Sequence, residues 1–227
     1  MDNIVFILLG MAVVAILVFL SLQNYFEGVT SFKYNTNLLQ LSQINFKGVR
    51  NPYSSNFSYG MWLNIRKWEN NVDRGIIYDR PTEMKIFIRN GTLMASCVST
   101  SLDENDKPID KTHEFELMRN LPLQKWMYIN ISVTKNKNDR SIVDTYIDGK
   151  LIKSLEYDGV IIPSTNTADI GPIDAELVGF KRWSYSLTPT MVLNEFNSSN
   201  VNKIFGNYGA DISLSTNGQV TNKFTVF

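Results

Sequence analysis

Between residues 57 and 65, and again between 126 and 133, apolar side chains recur at every second position. Tyr59, Met61, Leu63 and Ile65 share one face of the first stretch. Met127, Ile129, Ile131 and Val133 share one face of the second, with Tyr128, Asn130 and Ser132 opposite. A period of two fits an extended strand laid on a core and does not fit a helix. Turn chemistry punctuates the alternation. Lys85–Arg89 and Thr92–Ser96 flank Asn90-Gly91, and Val143–Ile147 and Lys150–Ser154 flank Asp148-Gly149. Asn-Gly and Asp-Gly accept the positive φ angles of a type I′ turn, whose twist matches the strands on either side. Asn217-Gly218 is a weaker third case. The stretch 102–112, polar and carrying Pro108, predicts a surface loop, and 135–140 predicts an exposed connection. Only 188–196 predicts a helix, with Thr188 as cap, Pro189 in the first turn, and Val192, Leu193 and Phe196 at helical spacing. From about Phe32 onward the pattern is that of an all-β domain.

The first 27 residues read differently. Ile4 to Leu20 is an unbroken apolar or small run, extended by Ser21 and Leu22, and includes Ile4, Phe6, Leu8, Val13, Ile16, Phe19 and Leu20. At about 1.5 Å per residue its length matches a hydrocarbon core. Asp2 is the only charge before it, and Gln23-Asn24-Tyr25-Phe26 does not resemble a cleavage site, so the run predicts a retained single-pass anchor rather than a signal peptide. Tyr25 and Phe26 suit the lipid interface. Lys33, Lys47 and Arg50 all follow the run, which by the positive-inside rule places the large C-terminal part on the cytosolic side. The domain plan is then an anchor over 1–27, a linker or first strand over 28–45, a sandwich over 46–197, and a C-terminal extension over 198–227 that forms an edge hairpin or adds a strand to a neighbour.

Composition removes whole classes of function. Lys+Arg and Asp+Glu are 22 each, so the basic surplus of a general nucleic-acid binder is missing. The single Cys97 excludes a disulfide framework and Cys-rich zinc sites. The single His113 excludes sites built on paired imidazoles. Glycosylation triplets start at Asn56, Asn90, Asn130 and Asn197. A chain with this much Asn, Ser and Thr holds roughly four by chance, so they carry no information.

Several phrases in order resemble the concanavalin A-like (laminin G-like, pentraxin-like) jelly-roll domains. They are Phe57-Ser-Tyr-Gly-Met-Trp-Leu63, the Trp-led strand Leu123–Val133, Tyr146-Ile-Asp-Gly-Lys-Leu151, Ile170-Gly171, and Leu177–Thr188. The match covers roughly residues 45 to 197. Leu-Pro-Leu-Gln-Lys-Trp with Asp-Gly-Lys-Leu-Ile-Lys-Ser is also similar to versions encoded by large nucleocytoplasmic DNA viruses, where an anchor followed by such a domain recurs. The resemblance implies a jelly-roll β-sandwich. Its viral form implies a minor capsid or membrane-associated component that links an internal membrane to the capsid shell. Its lectin form implies a carbohydrate-binding attachment protein.

Candidate chemistry is sparse. Glucanases of this fold need paired carboxylates on one strand face, about 5 Å apart. Glu104, Asp106 and Asp110 break the required spacing, and Glu114 with Glu116 lacks a third partner, so no enzyme is expected. Calcium is a family option, but Asp103, Glu104, Asp106 and Asp110 lack calcium-loop spacing, so no cofactor is expected. Cys97 reads as a buried thiol and His113 as a satisfied or surface histidine. Trp62 and Trp126 read as core. Trp68, Arg182, Trp183 and Tyr185 lie near turns and are the candidate partner-contact surface. The expected partners are a lipid bilayer and structural proteins such as capsid proteins, with glycan as the alternative and no nucleic acid. The expected location is a virion internal membrane or a host membrane.

Overall fold

The computed structural model describes residues 10–17, 29–31, 35–46, 49, 51–68, 75–162, 167–199, 211–216 and 219–225. The strands are β1 (Val29–Ser31), β2 (Asn35–Asn37), β3 (Ser42–Asn45), β4 (Phe57–Ile65), β5 (Gly75–Arg80), β6 (Met84–Arg89), β7 (Thr92–Leu102) and β8 (Pro108–Met118). They continue as β9 (Trp126–Lys135), β10 (Arg140–Ile147), β11 (Lys150–Asp158), β12 (Val160–Ile161), β13 (Thr167–Ile170), β14 (Ala175–Trp183), β15 (Asp211–Thr216) and β16 (Gln219–Thr225). The first sheet runs β1-β14-β4-β9-β10-β11, with β2 also on β14. The second runs β12-β7-β6-β5-β13-β3, with β8 on β7. The two form an all-β sandwich. Residues 29–45 supply strands to both sheets, so the stretch before residue 46 is part of the sandwich.

The alternation in the sequence places the core. Tyr59, Met61, Leu63 and Ile65 of β4, and Met127, Ile129, Ile131 and Val133 of β9, are buried between the sheets. From the second sheet they meet Ile77, Tyr78, Ile86, Ile88, Leu93 and Ala95. The two turns form as their chemistry dictates: Asn90 and Gly91 have φ of 51° and 70°, and Asp148 and Gly149 have 50° and 75°. β15 and β16 pair through Thr216↔Gln219. Asn217, Gly218 and the last two residues lie outside the described residues.

One loop is shorter than its polarity suggests. β8 starts at Pro108 and pairs with β7 from Leu102↔Pro108 onward, leaving only 103–107 as loop. Residues 108–112 form the exposed end of an edge strand, which admits Asp110, Lys111 and Thr112, and proline is tolerated at a strand's first position. At one edge of the first sheet, β11 carries Lys150, Lys153, Glu156 and Asp158. Its register jumps from Thr145↔Lys153 to Tyr146↔Leu151, leaving Ile152 as an extra, bulged residue.

The outer face of the first sheet is also covered. The helix α1 (Pro189–Ser198) is capped by Thr188, whose Oγ1 accepts from the Met191 amide. Val192 is its buried residue, and Phe196 stacks on Trp62 at 5.5 Å. Trp62 and Tyr128 are therefore buried on the side away from the main core. Gly60 makes this packing possible. A Cβ there would sit 2.3 Å from the Tyr128 hydroxyl and 2.9 Å from the Trp183 ring.

Residues 10–17 are helical, and Met11, Val13, Val14, Ile16 and Leu17 are at least half exposed. Among the described residues no helix is long and apolar enough to cross a membrane. Ile4, Phe6, Leu8, Phe19 and Leu20 of the expected anchor lie outside the described residues. Gly60→Ala is expected to destabilise the fold by about 1–3 kcal/mol, because neither ring has room to retreat. A lowered denaturant midpoint with unchanged slope would register this.

Candidate functional site

Two arginines, one from each sheet, converge on a single carboxylate inside the sandwich. Glu83, Arg80 and Arg182 are at most 1% exposed. Arg80 Nη1 lies 2.7 Å from Glu83 Oε2, and Arg182 Nη2 lies 3.4 Å from Oε1. The Tyr59 hydroxyl donates to the same carboxylate. The carbonyl of Pro52 accepts from both guanidinium groups, and that of Asn51 from Arg182. Arg182 also stands over the Phe57 and Tyr59 rings, and Arg80 over Phe46 at 4.1 Å. Burial, with Glu83 beside it, pushes the Tyr59 hydroxyl far above the ordinary phenol range. The Glu83 carboxylate and the terminal nitrogens of both guanidinium groups are consumed internally, so the cluster is a structural lock.

This corrects the expected contact surface. Arg182 and Trp183 are 0% and 4% exposed. The register of β14 shifts between Val178 and Lys181, around Gly179 with φ of 62°. The shift turns Phe180 and Arg182 inward and sends Lys181 and Trp183 outward. Lys181 then pairs with Glu195 of α1. Trp183 is roofed by Leu187 and Val192 beside Tyr146. Tyr185 is half-buried against the same group. The connection before α1 is gripped by two buried serines: Ser58 Oγ and Ser132 Oγ both accept from the Leu187 amide at 2.9 Å, and the carbonyls of Tyr185 and Leu187 accept from them. Asn130, an apparent glycosylation acceptor, is fully buried beside them.

His113 has a partner that sequence reasoning did not find. Its Nε2 is 2.9 Å from Ser99 Oγ, and Ser99 donates to the Asp158 carbonyl at 2.6 Å. A carbonyl only accepts, so the serine proton is committed to it and the imidazole is the donor to Ser99. A general base needs the reverse direction. The imidazole also stacks on Tyr157 at 3.9 Å. Cys97 is 2% exposed, and burial pushes its thiol up to about 12, the reverse of an activated nucleophile.

Several of the acids considered for metal or catalysis are likewise engaged. Asp103 Oδ1 accepts from the Asn105 and Lys107 amides, and Asp110 accepts from Thr100 Oγ1 at 2.6 Å. Glu114 pairs with Arg89 and Glu116 with Arg119. Among the described residues no three His, Cys, Asp or Glu side chains stand close enough to share a metal ion.

Two openings lie at one end of the sandwich, and a third, of about 440 Å³ between Thr100–Leu102 and Lys135–Arg140, lies at the other. Where β4 ends, a cleft of about 300 Å³ is lined by Leu39, Lys67, Trp68, Gly75, Ile173 and Asp174. Trp68 is half-buried against Gly75 and Ile173, and its indole Nε1 is buried with no hydrogen-bond partner among the described residues. Arg66 Nε lies 3.0 Å from Asp174. At the same end a wider groove of about 580 Å³ opens between Glu116–Arg119 of the second sheet and Ile147, Lys150 and Ile152 of the first. Leu39, Leu123, Leu151 and Ile152 are about half exposed around these openings. Of the four expected contact residues, only Trp68 lines one of them.

No protein-family model matches the chain, and no curated protein sequence matches it. Solved structures do share its fold. It is similar to the receptor binding domain of botulinum neurotoxin D at 19% identity and a TM-score of 0.51, over 76% of this chain and 44% of that one. The serotype D ligand binding domain in complex with N-acetylneuraminic acid gives 19% and 0.51, over 75% and 45%. The receptor binding domain of the C/D mosaic serotype gives 20% and 0.50, over 74% and 45%. This chain therefore spans less than half the length of those structures, and the likeness is one of fold.

Glu83→Gln is expected to cost about 3–5 kcal/mol, because two buried guanidinium groups lose their counter-charge. Asp79→Asn, which breaks the partly exposed pair with Lys85, should cost about 1 kcal/mol or less. Chemical denaturation of both variants gives the contrast. Burial foremost, with Lys111 nearby, holds the His113 imidazole below its ordinary value of 6.5, while Asp158 opposes the shift. A depressed folded-state value stabilises above 6.5 and is lost as pH falls below it. His113→Gln should remove that part of the acid-side decline when denaturation midpoints are compared from pH 8 to 5.

Proposed function

We propose that this chain is a non-catalytic interaction module: a β-sandwich tethered to a membrane by its N-terminal apolar run and presenting a protein-contact surface. In a virion of the large DNA virus kind it is a minor structural component tying an internal membrane to the capsid shell, with its sandwich on the cytosolic or capsid side. One observation carries the reading. The groups with catalytic potential, Cys97, His113, Glu83 and the buried arginines, are spent on internal contacts, whereas the end where β4 finishes offers an open tryptophan cleft with exposed leucines and isoleucine around it. Such a surface binds rather than reacts. Support for the tether comes from the helical residues 10–17, whose exposed apolar side chains suit lipid better than water.

The Trp68 cleft also favours a second reading, a carbohydrate-binding attachment protein. An aromatic side chain beside Lys67 and Asp174 is a chemistry that suits a hydroxylated ring. N-acetylneuraminic acid, bound by one fold neighbour, is a reasonable first probe.

Protease protection of the full chain in cells, with endoglycosidase digestion, separates the two. The linker reading predicts cleavage of the sandwich from the cytosolic side and no glycan mass shift. A protected domain with glycans at Asn56, Asn90 or Asn197 would sink it in favour of the second. That reading in turn predicts a saturation-transfer NMR signal from N-acetylneuraminic acid that Trp68→Ala abolishes.

A further inference from the structure

We infer that the sandwich stands end-on to the bilayer, with the loops 51–56, 136–139 and 184–187 toward the lipid headgroups and the Trp68 cleft facing away. This rests on the tether reading above and adds an orientation to it.

The argument starts from chain length. The apolar run ends at Leu22 and β1 starts at Val29, so six residues join them. Fully extended, that connection spans roughly 25 Å. Val29 pairs with Trp183, at the last residue of β14. The same end of the first sheet holds Phe57↔Val133 and Arg140↔Asp158. The opposite end holds Ala175↔Ile65, Asn64↔Trp126 and Ile147↔Lys150. The nine residues of β4 separate the two ends by roughly 30 Å. An inverted sandwich would lift Val29 a whole strand length above the lipid, beyond the reach of six residues.

The near end also has a surface that lipid headgroups tolerate. Tyr53 there is 47% exposed, and tyrosine favours the interface. The β7–β8 tip lies at this end, because Thr100 pairs with Val160 and Ser99 bonds Asp158. It brings Leu102 and Ile109, at 66% and 50% exposure. Most charges at this end offset one another. Lys135 pairs with Asp139, Arg140 with Asp158, and Asp103, Glu104 and Asp106 at the tip oppose Lys107 and Lys137. The small acidic surplus that remains fits a zwitterionic bilayer better than a strongly anionic one.

The test uses the full chain in phosphatidylcholine vesicles. Cys97 is buried, so a dye attaches to an introduced thiol, either Lys137→Cys at the near end or Lys125→Cys at the far end. Both positions are exposed. A lipid carrying a headgroup quencher should quench the dye at position 137 several-fold more than at 125. Equal quenching, which a sandwich lying on its side gives, or the reverse order overturns the orientation alone. Failure of the chain to float with the vesicles overturns the tether, and the orientation with it.

Discussion

The carboxylate of Glu83 is the point at which the two sheets become one structure. Arg80 reaches it from the second sheet, Arg182 and Tyr59 from the first, and the backbone carbonyls of Asn51 and Pro52 accept from further guanidinium donors. An ion pair sealed from water gains little over an apolar core of the same volume, but it is unforgiving of misplacement. A one-residue slip in β14 would replace Arg182 by an outward-facing neighbour and leave Glu83 and Arg80 mismatched. The lock therefore defines the register of the whole first sheet around the bulge at Gly179, and that register in turn sends Lys181 and Trp183 out to hold α1.

Local chemistry was legible and distant chemistry was not. Asn90-Gly91 and Asp148-Gly149 announce their turns because the left-handed backbone is a property of those residues themselves. The alternation in β4 and β9 announces an inner face for the same reason. Thr188-Pro189 announces the start of α1. By contrast, Arg182 reads as surface because its counter-charge lies 99 residues away. Nothing near it in the chain hints at burial. Trp183 was misread with it, since a single bulge reverses which side chains face water. The serines at 58 and 132 look unremarkable until the Leu187 amide, brought back by the fold, is placed between them. Pro108 suggested a loop because its strand lies at an edge, where polarity and proline are both permitted.

The same contrast holds at the candidate site. Trp68 could be singled out as an aromatic beside a turn. The cleft around it could not, since Leu39, Gly75 and the pair Ile173-Asp174 come from three separate parts of the chain. His113 and Ser99 are 14 residues apart on adjacent strands, and only the direction of the proton between them decides that the pair is inert. Residue types alone leave that choice open, because a histidine next to a serine is the same text whether it donates or accepts.

The bulge at Ile152 has a bearing beyond the geometry of one strand. A free edge invites sheets of neighbouring molecules to zip together, above all where copies are crowded at high local density. On β11 the extra residue breaks the even spacing of amides and carbonyls that such zipping needs. Lys153, facing the inner side opposite Thr145, would have to be stripped of water as a second sheet approached. A protein built this way can be packed side by side in a dense layer and stay a set of separate molecules, with association left to those surfaces that are shaped for it.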